Sequence, residues 1–230
     1  NTSIGAFAGE AVSGASVTIR NCHNYASVSG TFGIGGILGS VEDGATAVIE
    51  RCSNHGTVNA SYTGGGIIGQ SGPNGWKDNG ANTVITDCYN TGEIGGSGIW
   101  GISGIAGSFR LGGTGINNLI KNCYNAGTVG GDAAAGAIFG SAAETGVTLD
   151  NVYYLNTSNT KVYGTFTDDG SDTEGTVIGE AIGKAGEEMK DNTFVSSLGS
   201  SFAKDSEIIN GGYPILTGQK AIGGEAPDRK

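Results

Sequence analysis

The sequence predicts an all-β protein, a short parallel β-solenoid (β-helix) of about four to five coils with a small mixed C-terminal cap. Three observations carry this. Cysteines stand at 22, 52, 88 and 123, at intervals of 30, 36 and 35 residues, the spacing of a stacked repeat. A glycine-bracketed apolar segment recurs once per interval. Glycine makes up 45 of the 230 residues against only 3 prolines, which excludes collagen and leaves the glycines to serve as corners.

Within each unit the order of elements is constant. Three residues before each Cys stand Ile19, Ile49, Ile85 and Ile120, and a fifth unit aligns Leu149 ahead of Val152. Two residues after each Cys come Asn24, Asn54, Asn90 and Asn125, and six after come Val28, Val58, Ile94 and Val129. A small residue or glycine (Ala26, Gly56, Gly92, Gly127) marks a turn between them. Downstream lie Gly35-Gly36-Ile37-Leu38-Gly39, Gly65-Gly66-Ile67-Ile68-Gly69, Ser103-Gly104-Ile105-Ala106-Gly107 and Gly136-Ala137-Ile138-Phe139-Gly140, with Gly5-Ala6-Phe7-Ala8-Gly9 as an earlier copy. Such short β-prone segments cannot bury a face alone, so units must stack, like on like, at about 4.8 Å per rung. The Ile and Val choice at the ladders suits strands buried on both faces.

Composition bounds the function. No run of 18 apolar residues exists, so no helical membrane insertion is expected, and the formal charge of −10 without a Lys/Arg cluster disfavours nucleic acid. Asn1 opens directly on repeat-like sequence, so any export signal is expected to lie outside it.

The glycine-bracketed segments together with Arg20-Asn21-Cys22-His23-Asn24 and Lys121-Asn122-Cys123-Tyr124-Asn125 resemble GLUG-motif repeats, over residues 4 to 155. That family occurs in large surface and secreted bacterial proteins, including regions of IgA-specific peptidases and adhesin-like proteins. The resemblance implies an exported bacterial protein, extracellular or cell-surface, and a β-solenoid fold. It brings no single activity. Ser103 and Ala137 depart from the glycine pattern.

Each candidate site has a structural alternative. Cys22, Cys52, Cys88 and Cys123 could be disulfides, zinc ligands or a stack of buried thiols, and sulfurs a rung apart favour the stack. Asn24, Asn54, Asn90 and Asn125 form an amide ladder that satisfies itself. His23 and His55 occupy different registers, without a nucleophile or carboxylate in triad order. A polysaccharide-degrading β-helix enzyme is the distant alternative, because Arg20, Arg51, Lys77, Arg110 and Lys121 scatter among registers. No cofactor and no metal is expected. Phe32, Tyr62 and Trp100 share one register, flanked by Thr2 and Ala133, and predict an aromatic strip about 10 Å long that could stack on sugar rings. Trp76, in the long glycine-rich insertion 71–80, is a further candidate contact.

The predicted organisation is 1–155 repeats, 156–220 a capping segment with one short helix, and 221–230 linker or tail. Phe194, Val195, Leu198 and Phe202 have helical spacing, with Asn192 or Thr193 as N-cap, and the acidic run 168–174 could be a calcium loop or a solvated one. The expected role is a non-catalytic module of a larger protein, binding a glycan or host surface and joined to other domains of the same polypeptide. The rival is a passive stalk.

Overall fold

The structure is a computed structural model describing residues 3–72, 80–97, 100–110, 118–131, 135–143, 145–159, 161–164 and 175–221. Its strands are two to ten residues long and pair, coil on coil, into four parallel sheets. The chain forms a parallel β-solenoid. The first sheet stacks Ile4–Gly5, Ile34–Gly35, Thr63–Gly65, Gly101–Ser103 and Ala135–Gly136, and the second stacks Ala8–Ala11, Leu38–Val41, Ile68–Ser71, Ala106–Arg110 and Phe139–Ala143. The third holds Ser16–Arg20, Thr46–Glu50, Asn82–Thr86, Asn118–Asn125 and Gly146–Leu155, and around a bend it continues through His23–Asn24, Ser53–Asn54 and Tyr89–Asn90. Val28–Gly30, Val58–Ala60 and Ile94–Gly95 make the fourth.

Register follows the sequence repeat. Ile19, Ile49, Ile85, Ile120 and Leu149 are successive partners, and so are Asn24, Asn54, Asn90 and Asn125. In Thr46–Glu50 and Asn82–Thr86 alternate residues face inward, which buries Ala47 and Ile49, then Thr83 and Ile85. Each buried Ile contributes about 1.5 to 3 kcal/mol over its exposed state.

Two backbone features make the coil possible. The residue before each Cys, or before Val152, has a left-handed backbone: Asn21, Arg51, Asp87, Asn122 and Asn151, with φ between 49° and 58°. Asn and Asp tolerate this conformation best, which explains four of the five choices. Glycine is required where Gly36, Gly66 and Gly104 meet the amides of Asn54, Asn90 and Asn125, because a Cβ there would collide with the amide and with the next coil's backbone.

Two expectations for the C-terminal half need correction. The stack does not end at Leu155. Lys161 and Val162 accept from the backbone of Ala137 and Ile138, Tyr163 stacks on Phe139, and Thr176–Ile178 and Ala181–Lys184 pair in parallel with Gly146–Leu155. A sixth, partial rung results.

Beyond it the chain does not close the end of the stack as a lid; it lies along the side. Tyr89, Tyr124 and Tyr153, one residue past each Cys or Val152, form an apolar cluster with Met189, Phe194, Leu198, Phe202 and Leu216. These tyrosines build a ridge outside the coil core, and covering that ridge is what the C-terminal apolar residues do. Among the described residues the single α-helix is Asn192–Ser197, and its N-cap is Asp191, whose side chain accepts from Phe194 N at 2.7 Å, not Asn192 or Thr193. Gly199, at φ 92°, stops it, and Phe202–Ala203 pairs antiparallel with Ile215–Leu216.

Candidate functional site

The repeat places four chemically distinct columns on the solenoid. The thiol column runs inside. All four cysteines are free; Cys52, Cys88 and Cys123 are buried and Cys22 is half-buried. Each Sγ donates to the carbonyl two residues back, and the backbone N–H groups of Cys52 and Cys88 donate to the sulfurs of Cys88 and Cys123, each at 3.4 Å. Val152 follows Cys123 in the column.

Beside it the asparagines form a continuous amide ladder. Asn24 donates to Asn54 at 2.7 Å, Asn54 to Asn90 and Asn90 to Asn125, both at 2.8 Å. The same Nδ2 atoms donate to the turn carbonyls of Ala26, Gly56 and Gly92, so both hydrogens of these three amides are used inside the stack. Asn125 donates to the Gly127 carbonyl in the same way and is fully buried, so the ladder holds the coils together and presents no amide at the surface of these last three coils.

The aromatic residues do meet at one corner, but not as a strip. Phe32 and Tyr62 stack face to face with centroids 4.1 Å apart, while Trp100 tilts into both, 5.1 Å from Tyr62 and 5.4 Å from Phe32. A straight ladder would put the first and third rings about 10 Å apart; folding the indole back makes a compact triangle. The backbone of Trp100 is pinned by its N–H to Tyr62 and by Ser141 Oγ donating to its carbonyl at 2.6 Å. Trp100 stays 36% exposed, with the Arg110 guanidinium 4.9 Å from the centroid of its ring. Trp76, Thr2, Ala133 and the acidic run 168–174 lie outside the described residues.

A fourth column lies where the C-terminal segment meets the coils, and it joins His23 and His55, which the sequence places in different registers, through residues the sequence did not single out. Ser53 Oγ sits between His23 Nδ1 at 2.8 Å and His55 Nε2 at 3.0 Å, and His55 stacks on Tyr25 with centroids 4.4 Å apart. Gln219 Nε2 donates to Tyr25 and faces His55 Nε2, while Tyr89 donates to Gln219 Oε1 at 2.7 Å. His55 Nε2 is thus an acceptor and the ring is neutral, with Nδ1 facing Thr91 Oγ1 at 3.1 Å. Burial first, and then the charge of His23, lower the His55 pKa to about 4, with Asp205 opposing. His23 is lowered too, by burial and then by Arg51. Desolvation raises the Tyr89 and Tyr124 hydroxyls.

The Ser–His contacts do not assemble a nucleophile. Ser53 is fully enclosed, and the second nitrogen of His55 meets a threonine where triad chemistry needs a carboxylate. The signal for this column was present in the sequence: Ser53 lies 30 residues after His23, the repeat interval between those coils. Among the described residues no three His, Cys, Asp or Glu side chains converge as a metal cage.

No family model matches the sequence, and no curated protein does. A solved structure does resemble it. The crystal structure of a candidate immunoglobulin A1 protease from Bacteroides ovatus superposes with a TM-score of 0.55 at 22% identity, over 88% of this chain. What the two share is the fold. The match spans 58% of the Bacteroides chain.

Proposed function

We propose that the chain is a non-catalytic module of a cell-surface or secreted bacterial protein, of the GLUG-repeat type, that contacts a glycan on a host or neighbouring surface. One observation supports this over the stalk reading: Phe32, Tyr62 and Trp100 converge at one corner with Trp100 left exposed, an aromatic surface that a passive stalk does not need.

That Phe32–Tyr62–Trp100 corner is the surface suited to a sugar. The rings use part of their area on each other, so the platform matches one pyranose ring and not the disaccharide that a strip would take. The GLUG resemblance is what supports an exported setting; proteolysis is not carried over, because Ser53 and the histidines lack the geometry for it.

A glycan-array screen of the 230-residue chain tests the reading. Binding of a restricted set of glycans that Trp100→Ala weakens supports it. Absence of binding at millimolar soluble ligand returns the module to a purely structural role.

A further inference from the structure

We infer that the end of the C-terminal segment is a proton-released latch: when His55 takes up a proton, Gln219 lets go of the coils it holds, while the rest of the segment stays docked. Hydrogen-bond direction fixes the latch. The backbone N–H of Leu216 can only donate, and it reaches Gln219 Oε1 at 3.2 Å, so Nε2 is the end of the amide that faces Tyr25 and His55. Thr91 uses its hydroxyl hydrogen on Asn210 Oδ1 at 3.0 Å, and therefore accepts from His55 Nδ1–H. The other ring nitrogen of neutral His55 is then an acceptor. Gln219 Nε2 donates to it at 3.2 Å.

A proton on Nε2 turns this contact into donor against donor. Ser53 Oγ at 3.0 Å or the Tyr89 hydroxyl at 3.2 Å can accept the new N–H, but Gln219 Nε2 still faces a cation and keeps only Tyr25 of its two acceptors. The ionisable groups around the ring are His23 across Ser53, with Arg51 near it, Tyr25 on its face, Tyr89 at its edge, and Asp205. Of these Asp205 favours the charged ring, against burial and His23. Release is confined to the end of the segment. Phe194 and Phe202 hold the earlier part on the tyrosine ridge, whereas past Leu216 the chain is tied by Gln219, by Arg51 on the Thr217 carbonyl and by Thr217 itself on Ser200 and Ser201. The latch thus closes the C-terminal side of the chain onto its first coil at neutral pH and frees it in acid.

Backbone hydrogen exchange of the full chain tests this. The amides of Leu216 and Gln219, bonded to Gln219 Oε1 and to the Leu216 carbonyl, report on the latch, and the amide of Ile85, in the buried third sheet, reports on the stack. Between pH 6.5 and 4.5 the protection factors of the two latch amides should fall by up to about a hundredfold, roughly tenfold per pH unit, with Ile85 more protected than either throughout. Gln219→Glu puts an acceptor where Nε2 stood. Its latch should therefore be tighter at pH 5 than at pH 7, the reverse of wild type, and position 219 is exposed enough for the substitution to leave the stack folded. The inference is overturned if the latch amides of wild type are as protected at pH 4.5 as at 6.5, if they share the protection of Ile85 so that the event is global unfolding, or if Gln219→Glu loosens in acid as wild type does.

Discussion

Gln219 donates from Nε2 to the hydroxyl of Tyr25 at 3.1 Å, closing a loop of 194 residues between the C-terminal segment and the first coil. The same segment bonds to later coils as it runs. Arg51 donates to the Thr217 carbonyl at 2.9 Å, Ser201 to Asp87 at 2.7 Å, and Asn151 to the Ser197 carbonyl at 2.8 Å; Tyr124 donates to the Pro214 carbonyl. One strap thus ties five successive coils. In most stacked-repeat proteins each unit contacts only its neighbours and can fray from an end. Here the strap couples coils that do not touch one another.

Truncating the strap's anchors should therefore destabilise the whole stack. Phe194 packs on Tyr124 and Tyr153, and Phe202 on Tyr89 and Tyr124. Phe202→Ala is expected to cost about 3 to 5 kcal/mol in urea unfolding. Removing 185–221 should expose the tyrosine ridge and cause aggregation. A truncated chain that stays monomeric with an unchanged Tm would show that the coils need no strap.

The coil was legible in the sequence because stacking forces identical demands on successive units. Ile49 and Ile85, Asn54 and Asn90, Cys52 and Cys88 each meet their own kind, so the repeat writes itself into residue identity. The strap was not, since its partners Tyr89, Tyr124 and Tyr153 recur in only three coils while His23 and Ser53 hold that position in the first two. The partial rung at 176–184 was hidden for a related reason: Val177 and Ala181 keep the burial pattern of the ladder but none of its marker residues. The ring triangle escaped because register gives the height of a side chain on the stack and not its rotamer. Trp100 has the predicted register and an unpredicted tilt.

Acid should loosen the seam. His55 is neutral in the fold with its pKa lowered to about 4, against about 6.5 when unfolded. Between those values the unfolded chain holds a proton that the native chain does not. Stability is thus complete above about pH 6.5 and declines as pH falls toward 4, by about 3 kcal/mol at 1.36 kcal/mol per unit. His23 shifts in the same direction and adds to the slope. Urea midpoints at pH 7, 5.5 and 4.5 should fall in that order, and His55→Gln should flatten the trend. An equally steep profile in the variant would remove His55 as the cause.

The amide ladder predicts a position effect. Asn90 donates to Asn125 and accepts from Asn54, both buried, so Asn90→Ala strands a donor on one side and an acceptor on the other. Each stranded group costs about 1 to 3 kcal/mol. Asn24, the first member, receives no amide from a preceding described coil, and Asn24→Ala should cost roughly half as much. Thermal unfolding of the two variants measures the difference. Equal losses would mean that each asparagine acts through its own turn alone.

Trp100→Ala provides the sharpest test of the proposed surface. The indole is the most exposed ring of the corner, and its backbone is fixed by Tyr62 and Ser141, so removing the side chain should leave the coil and its circular dichroism spectrum intact. An aromatic contact of this kind contributes about 0.5 to 1.5 kcal/mol beyond area burial, which corresponds to a loss of roughly two- to tenfold in glycan affinity. Tyr62→Ala should do more harm to the protein and no more to the ligand, because Tyr62 is stacked on Phe32 and props the indole. Tryptophan fluorescence titration of wild type and Tyr62→Ala, alongside calorimetry of Trp100→Ala, separates the two roles. If Trp100→Ala binds every glycan as tightly as wild type, the corner is packing and the contact surface lies elsewhere on the solenoid.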